Sequence, residues 1–170
     1  EYMPRTYWTF LIATVAIVGV PGTAGFFSKD EILWKTWQHS PLLWTVGFAG
    51  VAMTAFYMFR QVFMTFFGEC RADHHTVEHL HESSGWMTWP LVVLAAGSLG
   101  AGYLGVPAAL GGANHFERWL EPVMGHTVHG GHHELALEYG LMGASVAIAA
   151  AGIFLAYLIY QKGLFKAETF

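Results

Sequence analysis

Three stretches of this chain run without a single Asp, Glu, Lys or Arg: Thr6 to Ser28, Met87 to Leu110 and Tyr139 to Gln161. Each exceeds the ~18 apolar residues that read as a bilayer-spanning helix. A fourth stretch, Leu42 to Phe67, holds one charge, Arg60. With 54% hydrophobic and 12% charged residues, the chain lies far from the balance of a soluble domain. It reads as an all-α, polytopic membrane protein.

No targeting segment is visible, since the first residue is Glu1 and the first apolar run is longer than a signal peptide's core and lies beside other spans. A start at Glu1, with a span beginning almost at once, reads as a piece of a longer chain. Cys70 is the only cysteine, so there is no internal disulfide framework. A net charge of -4 offers nothing to nucleic acid.

The connections contrast with the spans. Gly68 to Trp86 and Gly111 to Glu138 carry nine of the ten histidines and most of the acids, and they read as the aqueous parts. Trp86, Trp89, Trp119 and Tyr139 stand near span ends, where amphipathic rings favour the headgroup layer. The expected organisation is a broken transmembrane helix over 6–38, spans over 42–67, 87–110 and 139–161, a His-rich loop over 68–86, a second loop over 111–138 and a tail over 162–170. Gly97, Gly100, Ala101 and Gly105 in the third span, and Gly140, Ala144, Gly143, Ala147, Ala151 and Gly152 in the fourth, supply small residues four apart. That spacing lets helix backbones approach closely in lipid, though Gly and Ala are also simply common in spans.

The first region has two readings. Taken alone, 6–20 is ~22 Å of helix and 29–38 only ~15 Å, both short of the ~30 Å hydrocarbon core. Joined across the glycine and proline residues of Gly19 to Gly25, they form one discontinuous span. Positive charge supports this: Arg5, Arg60, Arg71, Lys162 and Lys166 then fall on one side and Lys35 and Arg118 on the other, five against two. With two full spans the split is four against three. The side with more basic residues is cytoplasmic.

Ser28 and Glu31 have capping-box spacing, which predicts a helix starting at Lys29 with that lysine beside the helix N-terminus. Burial and the adjacent carboxylate of Asp30 act on its charge in opposite senses, so a neighbouring charge can switch it. A charge and a helix break within a bilayer both require protein or water around them. The plainer reading is that Lys29 to Glu31 marks a surface end of an unbroken span. Arg60 reads first as a snorkelling residue, as does Lys35. Even so, Met53, Tyr57, Arg60, Gln61 and Met64 share a helical face, which makes Tyr57 and Arg60 candidates for a polar path.

The histidines invite a metal reading. His74, His75, His79 and His81, then His126, His129, His132 and His133, offer imidazoles to zinc or copper. Their spacings match no closed site and there is no cysteine pair, so a solvated loop is favoured and no metal site is assigned. No nucleophile triad, phosphate cradle or dinucleotide fingerprint appears, which argues against independent catalysis.

The string GFFSKDEIL, Gly25 to Leu33, preceded by MPRTYWTFLIATVAIVGVPGTAG, resembles the large antiporter-like subunit of respiratory complex I, subunit L in bacteria and subunit 5 in mitochondria. The likeness continues through MTAFYMFRQVFMTFFGE (Met53 to Glu69) and HLHESSGWMTWPLVVLA (His79 to Ala95), nearly the whole chain except the second loop. The resemblance implies a fold of two inverted half-channels, each with a broken helix. This chain is similar to the broken helix of the second and the three spans after it. Lys29 matches the family's relay lysine and Asp30 its carboxylate partner. The resemblance implies a translocase subunit of NADH:quinone oxidoreductase without a redox centre of its own, FMN, iron–sulfur clusters and quinone belonging to partner subunits. It also implies a neighbouring antiporter-like subunit as partner and a bacterial or mitochondrial inner membrane as location. The other readings are a related cation/proton antiporter or membrane-hydrogenase subunit, distinguishable by co-purified partners, and a membrane scaffold or metal-binding protein, distinguishable by metal content.

Overall fold

The computed structural model describes residues 3–68, 73, 75, 77, 79–106, 110–112, 115–124 and 135–163. In chain order the helices are α1 (Pro4–Val18), α2 (Ala24–His39), α3 (Pro41–Phe66), α4 (Gly85–Gly100), a 3-10 turn (Ala101–Gly105), α5 (His115–Met124) and α6 (Leu135–Tyr160). The described residues contain no strand. Among the described residues three segments are long and apolar enough to cross a membrane: α3 with 26 residues, α4 with its 3-10 turn as Gly85–Gly105 with 21, and Ala136–Tyr160 with 25. Helices α1 and α2, with 15 and 16 residues, are each shorter than a bilayer requires.

Helix α1 starts where Pro4 supplies a pre-set φ at a position whose amide has no intrahelical partner anyway. The next free amide, that of Arg5, donates to a Glu82 carboxylate oxygen at 2.7 Å, and the Thr6 hydroxyl donates to the other at 2.6 Å. Glu82 lies just ahead of α4, so one carboxylate places the starts of α1 and α4 side by side and supplies negative charge at the positive end of the α1 dipole. The two helices pack along each other from there. Helix α3 runs the other way: Tyr7 and Phe10 near the start of α1 meet Phe66 at its end, with ring centroids 5.1 and 5.6 Å apart.

The most extensive helix pairing is α3 with α6. At its seam Gly152 has no side chain because the Ala52 carbonyl and the Ala55 methyl occupy the space. Close backbone approach of this kind gives helix pairs in lipid their van der Waals contact. Around this seam Val18, Leu33, Val51, Ala55 and Ala149 form the buried core, linking α1, α2, α3 and α6. Large apolar side chains elsewhere, such as Leu42, Trp86 and Leu94, point outward, as expected where the surroundings are hydrocarbon rather than water.

One expectation is corrected and one gains detail. The helix expected to start at Lys29 under a Ser28 cap starts five residues earlier, at Ala24, after a turn at Gly22 (φ 91°) and an extended Thr23. Ser28 is an exposed residue inside that helix. The 111–138 segment, read as a loop between spans, contains the short helix α5.

Candidate functional site

The last four carbonyls of any α-helix have no amide partner within it. In α1 these belong to Val15, Ala16, Ile17 and Val18. Gly19 then turns left-handed (φ 86°), which residues bearing a Cβ adopt only at a cost, and the turn brings two amides back. Gly19 N–H donates to Ala16 at 3.1 Å and Val20 N–H to Val15 at 3.2 Å, the paired bonds of a Schellman ending. The remaining two carbonyls receive a side chain. Lys29 Nζ donates to Ile17 O at 2.9 Å and to Val18 O at 3.2 Å. All four orphan acceptors at the break are thereby satisfied.

The reach is set by how α2 re-enters the bundle. Gly22 and the Thr23 hydroxyl, which donates to Val20 O at 2.8 Å, tighten the connection. Helix α2 then begins directly against the end of α1, with Gly25 so close to the Ala16 carbonyl that a Cβ has no place there. One turn later Lys29 lies over the α1 terminus, its Cδ 3.5 Å from where a Gly19 Cβ would stand. Lys29 is thus the sixth residue of α2, and its amine meets the negative end of the α1 dipole rather than the positive end of its own helix. This corrects the expected placement at a helix N-terminus. At ~22 Å, α1 is shorter than a ~30 Å hydrocarbon core.

Asp30 points another way. Its Oδ2 is wholly shielded and has no hydrogen-bond partner among the described residues. It lines a cleft between α2 and α6 together with Glu31, Leu33, Glu138, Met142 and Ser145. Glu31 holds Lys35 at 3.1 Å, one turn along α2. The adjacent Lys29 and Asp30 therefore serve two environments: carbonyls at the helix break and a carboxylate-lined cleft.

The break is closed on another flank by the 3-10 turn. A Cβ on Gly102 would stand 2.5 Å from Ala24 Cα and 2.8 Å from the Phe27 ring. Tyr103 meets Phe27 with centroids 5.7 Å apart, and Phe26 and Phe27, both buried, cross edge to face at 5.4 Å. The paired phenylalanines of the sequence motif are the packing that seats α2.

Tyr57 and Arg60 are not brought to this site. Tyr57 is exposed, and Arg60 Nε donates to Met64 Sδ at 3.4 Å while its guanidinium stands 5.7 Å over the Tyr160 ring. The pair joins α3 to the end of α6, with Met53 and Met64 also facing outward. The rings of His75 and His79 lie 4.9 Å apart, and among the described residues no group of three or more His, Cys, Asp or Glu is placed to hold a metal ion. His74, His126, His129, His132 and His133 lie outside the described residues. The Ile17 and Val18 carbonyls complete the site without any side chain to announce them. Their only sequence signal is the glycine that ends α1.

Residues 1–56 match the family described as NADH:quinone oxidoreductase/Mrp antiporter, transmembrane, and residues 51–169 the family described as the C-terminal transmembrane segments of a complex I NADH dehydrogenase subunit. A NAD(P)H-quinone oxidoreductase chain 5 from Picosynechococcus is 42% identical over 95% of this chain and 27% of its own length. The chloroplastic subunit 5 of Mesostigma viride is 38% identical over 95% of this chain and 25% of its own. The NADH-quinone oxidoreductase subunit L of Mycobacterium tuberculosis is 39% identical over 93% and 24%. The chain spans about a quarter of the length of these relatives.

Proposed function

From the premise that this chain, a multi-pass integral membrane protein, belongs to the NADH:quinone oxidoreductase/antiporter family of membrane subunits, we propose that it serves proton translocation in an NADH:quinone oxidoreductase. Lys29 is the proton relay and Asp30 its charge partner. The chemistry at quinone, FMN and iron–sulfur clusters belongs to partner subunits, and a neighbouring antiporter-like subunit passes protons or their electrostatic equivalent to this one. The membrane is a bacterial inner membrane, or a mitochondrial one in a eukaryote, with the Arg5 and Glu82 end of the bundle on the cytoplasmic or matrix side.

The observation that supports this reading is the Lys29 amine held on two carbonyls at a helix break. A relay needs a titratable group inside the hydrocarbon thickness, fixed in position and joined to a second ionisable group that opens elsewhere. In support, Lys29 is fixed on the two carbonyls, and Asp30, its neighbour in sequence, lines the cleft towards Glu138. The test is Lys29→Ala in the fully assembled complex, with protons translocated per electron as the readout. The proposal requires that ratio to fall while quinone reduction continues, and an unchanged ratio rejects it.

A cation/proton antiporter is the second reading, because the description matched by residues 1–56 names antiporters alongside the oxidoreductase. Co-purification with redox subunits separates the two.

A further inference from the structure

Helix α5 meets the rest of the fold at the 3-10 turn. It has ten residues and follows the 3-10 turn that ends the α4 span. Phe116, Trp119, Leu120 and Val123 stand at positions i, i+3, i+4 and i+7, which gives the helix one apolar edge, while Glu117, Arg118 and Glu121 between them are charged residues. Three residues of this edge face outward, and Leu120 is half-buried. Phe116 is 57% exposed, Trp119 74% and Val123 85%, and the Phe116 and Trp119 rings lie side by side with centroids 6.3 Å apart.

The place of α5 in the fold decides what meets that edge. It packs on the 3-10 turn, from which Tyr103 and Leu104 also face outward. The chain then returns through α6, whose first turns expose Leu137 and Tyr139. Tyr103, Trp119 and Tyr139 are thus outward-facing aromatics at, or directly between, the ends of two membrane-crossing helices. Hydrocarbon gives way to headgroups at that level, and rings with a polar tip are favoured there. At ~15 Å, α5 is too short to cross. A short helix, apolar along one edge and continuous with the lipid-facing ends of two spans, has the character of an element lying in the interfacial plane.

We propose that α5 lies in the headgroup layer on the side where α4 ends, with Phe116, Trp119 and Val123 inserted among the upper acyl segments of phospholipid. The placement extends to the helix break. Helix α5 bears on the 3-10 turn from outside, and the turn bears on Ala24 and Phe27 from the other side through Gly102 and Tyr103. Lipid at α5 therefore helps hold the turn against the start of α2.

The assembled membrane protein in lipid nanodiscs, on a Cys70→Ser background, carries an environment-sensitive fluorophore at Val123→Cys, with Phe116→Cys as an independent second site. The expected result is blue-shifted emission that is lost when the lipids are brominated near the glycerol backbone and retained when bromine sits at the chain ends. Quenching by aqueous iodide with no loss to brominated lipid overturns the proposal in favour of a solvated loop. Emission insensitive to both quenchers overturns it in favour of a protein partner. Neither readout depends on proton transport, so the result stands whether or not Lys29 carries protons.

Discussion

Gly25 in α2 lies flat against the carbonyl oxygen of Ala16 in α1, with no room for a methyl group between them. This contact sets the distance between the two half-helices. Gly25→Ala is expected to push α2 outward, to draw Lys29 away from Ile17 and Val18, and to cost about 1–3 kcal/mol, as overpacking of a tight interior does. A lowered thermal midpoint of the purified complex, together with reduced proton output, checks it. An unchanged midpoint refutes the close approach.

Capping and proton relay at Lys29 can be separated by two substitutions. Lys29→Met leaves the Ile17 and Val18 carbonyls without their side-chain donor, and an acceptor left unpaired away from water costs about 1–3 kcal/mol. Lys29→Arg keeps donors at the α1 terminus but holds its proton at any working pH. The expected pattern is loss of both stability and proton output in the methionine variant, and loss of proton output alone in the arginine variant. Denaturation midpoints read beside proton-to-electron ratios test the pattern.

Gly152 offers a test remote from the lysine. A Cβ there would stand 2.9 Å from both the Ala52 oxygen and the Ala55 methyl. Gly152→Val therefore has to part α3 from α6, at a cost of about 1–3 kcal/mol by overpacking. Cysteine pairs engineered across the seam should then cross-link more slowly than in the parent. Equal rates count against a tight, rigid seam.

The Glu82 contact predicts a pH dependence. The Thr6 hydroxyl bond, aided by the backbone amides of Arg5, Thr6 and Ser83, holds this carboxyl below the ordinary glutamate value, against a smaller opposing effect of desolvation. A group whose value is depressed in the folded state contributes stability above its unfolded value, about 4.3, and loses it as pH falls through the folded one. Glu82→Gln should lower the thermal midpoint slightly at neutral pH and leave it equal to the parent in strong acid. A difference that persists in strong acid rules out the electrostatic account.

Much of this architecture is legible in the sequence because hydrophobic length is a local property. A run such as Leu42 to Phe67 declares a span whatever surrounds it, and Gly19, Pro21 and Gly22 declare a break. The partners of Lys29 are not legible. They are backbone carbonyls 11 and 12 residues away, and no side chain marks them. The start of α2 eludes a sequence reading because a Ser-x-x-Glu pattern has the same spacing inside a helix as at its start. The Gly22 and Thr23 turn has already begun the helix by then. Helix α5 is hidden by its ten-residue length and by Pro122 within it. The acceptor for the Arg5 amide and the Thr6 hydroxyl lies 77 and 76 positions away at Glu82, beyond any local pattern.

An ammonium group carries three N–H bonds and a neutral amine two. At the end of α1 two are engaged, on Ile17 and Val18, which leaves one over. Lys29 can therefore surrender a hydron and still terminate the helix with the same two bonds. A change of charge on the amine need not unravel the backbone that positions it, so the hinge between the half-helices keeps its shape in either state.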